Sequence, residues 1–316
     1  MALYSIVVPV YNSQKTLEEL YGRVRKVFEQ EIKEPFEMVL VDDSSKDQSF
    51  SVMKKLREED GRVKIIQLSR NYGQHCAILC GFEYAKGDFI ITMDDDLQHP
   101  PEEIPKLIKG LQDNPELDVV IGRYLSKKHG PIRRFGTFLT NKVSSHIFKK
   151  DPNLQLTSFR IMKRFVAQGI LDRHVNFPRI GHLLLMVSNR IANVVVEHDS
   201  RKYGRSGYTF KRLVKDFFSN ILNNSSFPLV VVRDIGIISF IASILMGIYY
   251  LTRYLFFGIS VQGWITLVLL MLLYFGLILL SIGIVGDYLI RILEEAKRLP
   301  NYTVRQCDVE ERPKQE

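Results

Sequence analysis

Short apolar runs rich in β-branched residues recur along the first part of the chain, at residues 3–8, 36–41, 63–68, 88–93 and 119–121. Between them the apolar positions change period. Leu17, Leu20, Val24, Val27 and Phe28 fall at helical spacing within residues 14–30, and helices are also expected at 48–59 and 74–85. Pro100-Pro101-Glu102 opens a further one. Strand and helix in strict alternation predict a parallel sheet covered by helices on both faces. In such sheets ligands bind beyond the carboxyl ends of the strands. Polar clusters follow the first four strands, where a site would form.

From about residue 123 to 228 the pattern is less regular. Helices are expected near 135–148, 163–171 and 180–190, and a strand near 191–196. Within 209–222, Phe210, Leu213, Val214, Phe217, Phe218, Ile221 and Leu222 gather on one side, and Lys211, Arg212 and Lys215 lie elsewhere. That distribution suits a helix lying in a membrane interface. Two long apolar runs follow, 235–257 with Arg253 as its one charge and 265–290 with Asp287 as its one charge. Each approaches or exceeds the roughly 20 residues that cross a bilayer as a helix. The link between them is short and uncharged, so a helical hairpin is expected. Basic residues flank both ends: Lys211, Arg212, Lys215 and Arg233 before, Arg291, Lys297 and Arg298 after. The positive-inside rule places both ends in the cytoplasm. The expected boundaries are a cytoplasmic domain at 1–228, two transmembrane helices at 229–292 and a cytoplasmic tail at 293–316, polar and loose after Pro300. The N-terminus runs straight into a strand pattern, with no signal peptide expected.

Charge sharpens this outline. The chain of 316 residues carries a formal net charge of +8. Between Arg123 and Lys215 there are 20 Lys and Arg against 4 Asp and Glu, so that stretch is strongly basic and the rest is acidic. A basic face of this size calls for an anionic partner. Beside a bilayer that partner is expected to be anionic lipid and not nucleic acid. Cys76, Cys80 and Cys307 make no disulfide framework, and Cys76 and Cys80 read as one face of a buried helix.

The sharpest chemical feature is Asp94-Asp95-Asp96-Leu97-Gln98, at the end of the fourth strand. Asp-x-Asp at a strand end directs two carboxylates to one point, and hard oxygen ligands of that kind suit Mg2+ or Mn2+. An ion held there grips a diphosphate and offsets the charge that develops as it leaves. Gln98 adds a carbonyl oxygen. Asp42-Asp43 follows the second strand, where a carboxylate can accept a hydrogen bond from a pyrimidine N–H. Pro9, Tyr11 and Asn12 follow the first, with Tyr11 placed to lie against a base, and Ser69-Arg70-Asn71-Tyr72-Gly73 follows the third. Each is a common turn composition alone. Four successive strand ends together outline a nucleotide pocket.

These segments resemble the nucleotide-binding domain of family 2 inverting glycosyltransferases, the GT-A fold, in its polyprenyl-phosphate branch of dolichol-phosphate mannose synthases and bacterial undecaprenyl-phosphate glycosyltransferases. The segments that match are 6–12, 41–47, 69–73, 93–98 followed by His99-Pro100-Pro101-Glu102, and Gly122-Arg123-Tyr124, continuing into Phe159-Arg160-Ile161-Met162 and residues 201–208. The apolar pair near the C-terminus resembles the bacterial members. The fold this implies is an α/β, Rossmann-like GT-A nucleotide-sugar-binding domain followed by a two-helix transmembrane hairpin. The resemblance implies that Pro9, Tyr11, Asn12, Asp42, Asp43 and Asn71 serve the nucleotide, and that Asp94, Asp96 and Gln98 serve the metal and diphosphate. It implies that Arg123, Arg133 and Arg134 bind an acceptor phosphate, and that Arg201, Ser206 and Tyr208 close over the donor. Asp94, Asp96 and Arg123 form the catalytic set. The partners implied are a nucleotide-sugar donor, leaning to UDP, a polyprenyl phosphate and the lipid bilayer. Nucleic acid is not among them, and packing between hairpins leaves room for a homo-oligomer. The location implied is the inner cell membrane, with the catalytic domain and both termini cytoplasmic.

The chain departs from the family pattern in three places. Ser13 stands where Glu is common, Thr157-Ser158 where Gly-Asp is common, and Gly207 where Lys is common. A sugar-orienting carboxylate and a cationic clamp are thereby missing. Of the rival readings, a processive polysaccharide synthase would resemble a Gln-x-x-Arg-Trp pattern, but the one tryptophan, Trp264, lies between the apolar runs. The apolar runs disfavour a transferase acting on a hydroxyl acceptor and a nucleic-acid binder, and intact Asp94 and Asp96 disfavour a scaffold.

Overall fold

The computed structural model describes residues 2–124, 154–173, 178–197, 263–296 and 300–308, with isolated positions between 232 and 256. The chain divides into two units, one formed by 1–206 with 299–316 and the other by 207–298.

The first unit is built on an eight-stranded sheet in the order β7-β5-β6-β4-β1-β2-β3-β8. Its strands are β1 (Tyr4–Val10), β2 (Phe36–Asp42), β3 (Val63–Leu68), β4 (Phe89–Thr92), β5 (Val119–Tyr124), β6 (Arg160–Lys163), β7 (Ile191–Val196) and β8 (Val304–Asp308). Among the described residues the α-helices of this unit are α1 (Leu17–Lys26), α2 (Ser49–Glu59), α3 (Gln74–Tyr84), α4 (Ile104–Gln112), α5 (Arg164–Leu171) and α6 (Ile180–Val187). A π-helical turn, Val27–Ile32, extends α1. The inner strands are apolar on both faces because both faces are covered. Along β1, Ile6, Val8 and Val10 pack with α1, α2 and α4, and Val7 packs on the opposite side with α3. Gly81 lets α3 approach: a Cβ there would collide with Val7. Cys76 and Cys80 are free and buried in α3, as their spacing suggested.

The fold class expected for this domain is present, with two corrections. The sheet is mixed: β1 to β4 run parallel in the strand order β4-β1-β2-β3, but β6 is inserted antiparallel between β4 and β5. Four residues interrupted by the buried charge of Arg160 leave too little alternation for a strand to be read from sequence. The tail is not loose over its described residues, 300–308. Val304–Asp308 returns to the sheet as its edge strand, antiparallel to β3.

In the second unit, α7 (Trp264–Ala296) is a helix of 33 residues. Counted over the described side chains, no helix is long and apolar enough to cross a membrane. The expected two-helix hairpin is not seen among the described residues, since the run at 235–257 is described only at scattered helical positions and many side chains of α7 fall outside the described set. The helices expected at 135–148 and 209–222 also lie outside the described residues.

Candidate active site

Three strands end in loops that meet at one edge of the sheet. Beyond β1, Asn12 (φ 54°) turns the chain; beyond β2, Ser44 (φ 60°) does so; beyond β4, Leu97 (φ 60°) does so. Non-glycine residues rarely adopt this left-handed backbone. Three such residues in adjacent loops show a backbone held in strain by its surroundings, a common property of ligand sites. Hydrogen bonds between the loops hold it. Asn12 N–H donates to Ser45 Oγ (2.9 Å), and Lys46 N–H donates to Asn12 Oδ1 (2.8 Å). Tyr11 N–H donates to Asp95 Oδ2 (3.0 Å), and Thr16 Oγ1 donates to the Asp95 carbonyl (2.6 Å).

The carboxylates have distinct surroundings. Asp42 is fully buried at the end of β2, accepting from Ser45 N–H (3.1 Å) and Gln67 Nε2 (3.1 Å). Asp43 accepts from the backbone N–H groups of Tyr72 (2.7 Å) and Gly73 (2.8 Å). Burial raises its pKa against the pull of those two donors. Asp43 therefore shapes the loop after β3. Asp95 points back into the protein, where burial first, and the charges of Asp94 and Asp96 after it, push its carboxyl up to about 6.

Asp94 is the most elaborately held. Gln74, at the start of α3, donates through Nε2 to Oδ1 (2.5 Å), and Ser158 Oγ donates to Oδ2 (2.7 Å). Asp94 N–H donates to His99 Nδ1 (3.2 Å). The His99 ring is buried and stacked against Phe159 and Tyr124, with centroids 5.3 and 5.8 Å away. Burial raises the Tyr124 phenol well above its usual range, and Asp94 and Asp96 add to the rise, so its hydroxyl lies within their field. Beneath the site Arg160 is buried, and its Nε donates to Thr92 Oγ1 (3.1 Å). Burial lowers its guanidinium to about 10, and the charge of Asp94 opposes the fall. Asp96 Oδ1 accepts from Gln98 N–H (3.1 Å), tightening the turn.

Asp94 and Asp96 thus share one loop with Gln98. Among the described residues, no three His, Cys, Asp or Glu side chains converge as a metal cage. The donor set still fits Mg2+ or Mn2+, which keep several waters and complete their shell from substrate phosphates. Pro9 is buried in β1, Tyr11 is 43% exposed beside it, and Asn71 is exposed on the loop after β3. Arg123 is exposed at the end of β5, two strands from β4, or about 10 Å between strand axes. Arg133, Arg134, Arg201, Ser206 and Tyr208 lie outside the described residues. Gln74 and Thr16 were not singled out from sequence. His99 and Tyr124 sat in view within matching segments without a role, and Ser158 was marked only as a departure from the family pattern; Gln74, Ser158 and Thr16 gain their roles from contacts across 20 to 79 residues of chain.

Residues 5–171 match the family model described as Glycosyl transferase family 2. The chain belongs to that family. As a family 2 glycosyltransferase it is similar over nearly its whole length to curated members. It is 32% identical over 315 residues to the undecaprenyl-phosphate 4-deoxy-4-formamido-L-arabinose transferase of Shewanella sediminis (strain HAW-EB3), covering 98% of this chain and 94% of the relative. It is 32% identical to the uncharacterized glycosyltransferase YkcC of Bacillus subtilis (strain 168), covering 96% of this chain and 93% of that one. Among solved structures, mannosyl-3-phosphoglycerate synthase from Rubrobacter xylanophilus superposes with a TM-score of 0.50 at 14% identity, over 74% of this chain and 75% of that one. That likeness shows the GT-A fold of this glycosyltransferase.

Proposed function

We propose that this glycosyltransferase moves a sugar from a nucleotide donor, UDP-linked, onto the phosphate of a membrane polyprenol, undecaprenyl phosphate, with inversion at the anomeric carbon. The observation that carries the reading is Asp94, clamped by Gln74 and Ser158 at the end of β4 beside the Asp43 pocket, in a chain matched end to end by an undecaprenyl-phosphate sugar transferase.

Asp94 and Asp96, with Gln98, would hold Mg2+ or Mn2+. Bound there, the ion would neutralise charge on the departing diphosphate. Tyr11 would lie against the base, and Asp42 and Asp43 would line its pocket. The nucleophile is a lipid phosphate oxygen, ionised near neutral pH, so no strong general base is required. What the protein must do is bring two anions together and align them. Arg123, with Arg133 and Arg134, would seat the acceptor phosphate, since guanidinium forks match phosphate oxygens. Arg201, Ser206 and Tyr208 would cover the donor.

The membrane setting is part of the same proposal. A helix of 33 residues is about 50 Å long, against about 30 Å for a hydrocarbon core. The run at 265–290 within it carries one charge, Asp287. The run at 235–257 would pair with it as the second span, leaving the catalytic domain on the cytoplasmic side of the cell membrane.

The test is purified protein with Mn2+, undecaprenyl phosphate and a panel of UDP- and GDP-sugars that includes nucleotide-linked 4-deoxy-4-formamido-L-arabinose. The expected result is a lipid-linked monosaccharide that disappears with Asp96→Ala. Transfer to a hydroxyl acceptor, with no lipid product from any donor, would overturn the proposal.

A further inference from the structure

β8 pairs with β3 next to the loop that borders the donor site. β8 is a weak core element: of Val304–Asp308, only Val304 is partly buried and the other four are exposed. Hydrophobic burial therefore explains little of its attachment. Its contacts gather instead at one place. Ser69 N–H donates to the Thr303 carbonyl (2.8 Å), and the side chains of Ser69 and Thr303 stand close enough to the Tyr72 phenol to draw its pKa down. The Tyr72 hydroxyl also lies 3.1 Å from Ser69 Oγ, and Arg70 covers its ring at 4.7 Å. Tyr302 packs on the α3 side of the core and donates to Glu83 of α3. Antiparallel pairing then runs from Leu68↔Val304 to Ile65↔Asp308, with the register shifting between Gln67 and Leu68, next to the loop.

The loop so held, 69–73, is the one that orients both halves of the donor site. Tyr72 and Gly73 give their N–H groups to Asp43. Gly73, at φ 91°, starts α3, whose first residue, Gln74, holds Asp94. A shift of the loop would move the base-side and the metal-side carboxylates together.

We propose that Tyr302 and Thr303 are positioning residues of the donor site: the strand that follows α7 fixes loop 69–73, and through it Asp43 and Asp94, for the nucleotide sugar. The inference rests on the donor-site reading given above. It has a thermodynamic corollary. If the strand tightens nucleotide binding, nucleotide must hold the strand in place by the same factor. An edge strand with so little buried surface is drawn from the low-stability end of the fold, where such coupling is measurable.

The experiment uses the full-length protein in detergent, as wild type, Thr303→Ala, Thr303→Ser, and a chain ending at Pro300. Steady-state kinetics with the donor and undecaprenyl phosphate give both KM values. Hydrogen exchange of residues 302–308 is followed with and without UDP and Mn2+. Thr303→Ala is expected to raise the donor KM several-fold, and Thr303→Ser to restore it. The shortened chain is expected to raise it at least tenfold, with the KM for lipid phosphate unchanged in every case. UDP is expected to slow exchange across 302–308 in the wild type. A purely structural strand would lower the active fraction, and so the apparent kcat, while leaving both KM values in place. That result, or exchange at 302–308 indifferent to bound UDP, would overturn the inference alone. A wild type that binds no nucleotide would overturn the function reading and this one with it.

Discussion

Asp94 shows how much of the chemistry is decided around a residue and not at it. Its two oxygens are each given a donor, by Gln74 and Ser158. Partners of this kind orient a ligating carboxylate, and their loss weakens metal affinity about 10- to 100-fold. Ser158→Ala is therefore expected to raise the apparent Kd for Mn2+ by that factor with little change in the donor KM at saturating metal, measured by titrating activity with Mn2+. Restoring the common carboxylate with Ser158→Asp would set a second negative charge where a donor now sits 2.7 Å from Asp94. That variant is expected to be the less active of the two. His75 carries a separate, pH-dependent consequence. Burial, then the charges of Arg160, Arg179 and His182, lower its imidazole from 6.5 to about 4. The folded protein resists a proton that the unfolded chain accepts. Its contribution is complete above pH 6.5 and is lost as pH falls towards 4, roughly 3 kcal/mol in all. Chemical denaturation between those pH values is expected to show that slope, flattened in His75→Gln.

At the scale of elements, α3 does most of the positioning. It packs on β1 through Gly81 and delivers Gln74 to Asp94 from its first turn. Gly81→Ala would drive a methyl into Val7, and overpacking of that kind costs about 1–3 kcal/mol. A fall in Tm with a matching loss of activity is the expected outcome. The alternation of strands and helices as far as β5 was legible in the sequence because each inner strand is apolar on both faces and each loop is polar. The Asp-x-Asp loop and Asp42-Asp43 were legible for the same reason, as charges placed where a strand stops. β6 and β8 were not. β6 carries a buried arginine, and β8 is exposed at four of five positions, so neither has a periodicity that local pattern can register. Both exist because of what lies beside them in the sheet. For Ser158 the sequence resemblance shows only a departure where a carboxylate is common, and the structure adds what stands there, a hydrogen-bond donor to Asp94.

Across the whole molecule, charge is divided along the chain. Acidic groups cluster at the strand ends, and the stretch from Arg123 to Lys215 is strongly basic. The proposed reaction needs both, one set for a cation and diphosphate and the other for an anion presented by a bilayer. If the apolar runs span the membrane, the chain should stay in the membrane pellet through an alkaline carbonate wash, and release by that wash would contradict the proposed anchoring. In the proposed reaction a phosphate oxygen of the lipid attacks the sugar. Phosphorus NMR of undecaprenyl phosphate incubated with enzyme, Mn2+ and an accepted donor tests it most directly. The phosphate monoester signal is expected to give way to a phosphodiester in step with nucleotide release, and Asp96→Ala to abolish the change. Nucleotide release with the monoester signal intact would contradict the proposed reaction.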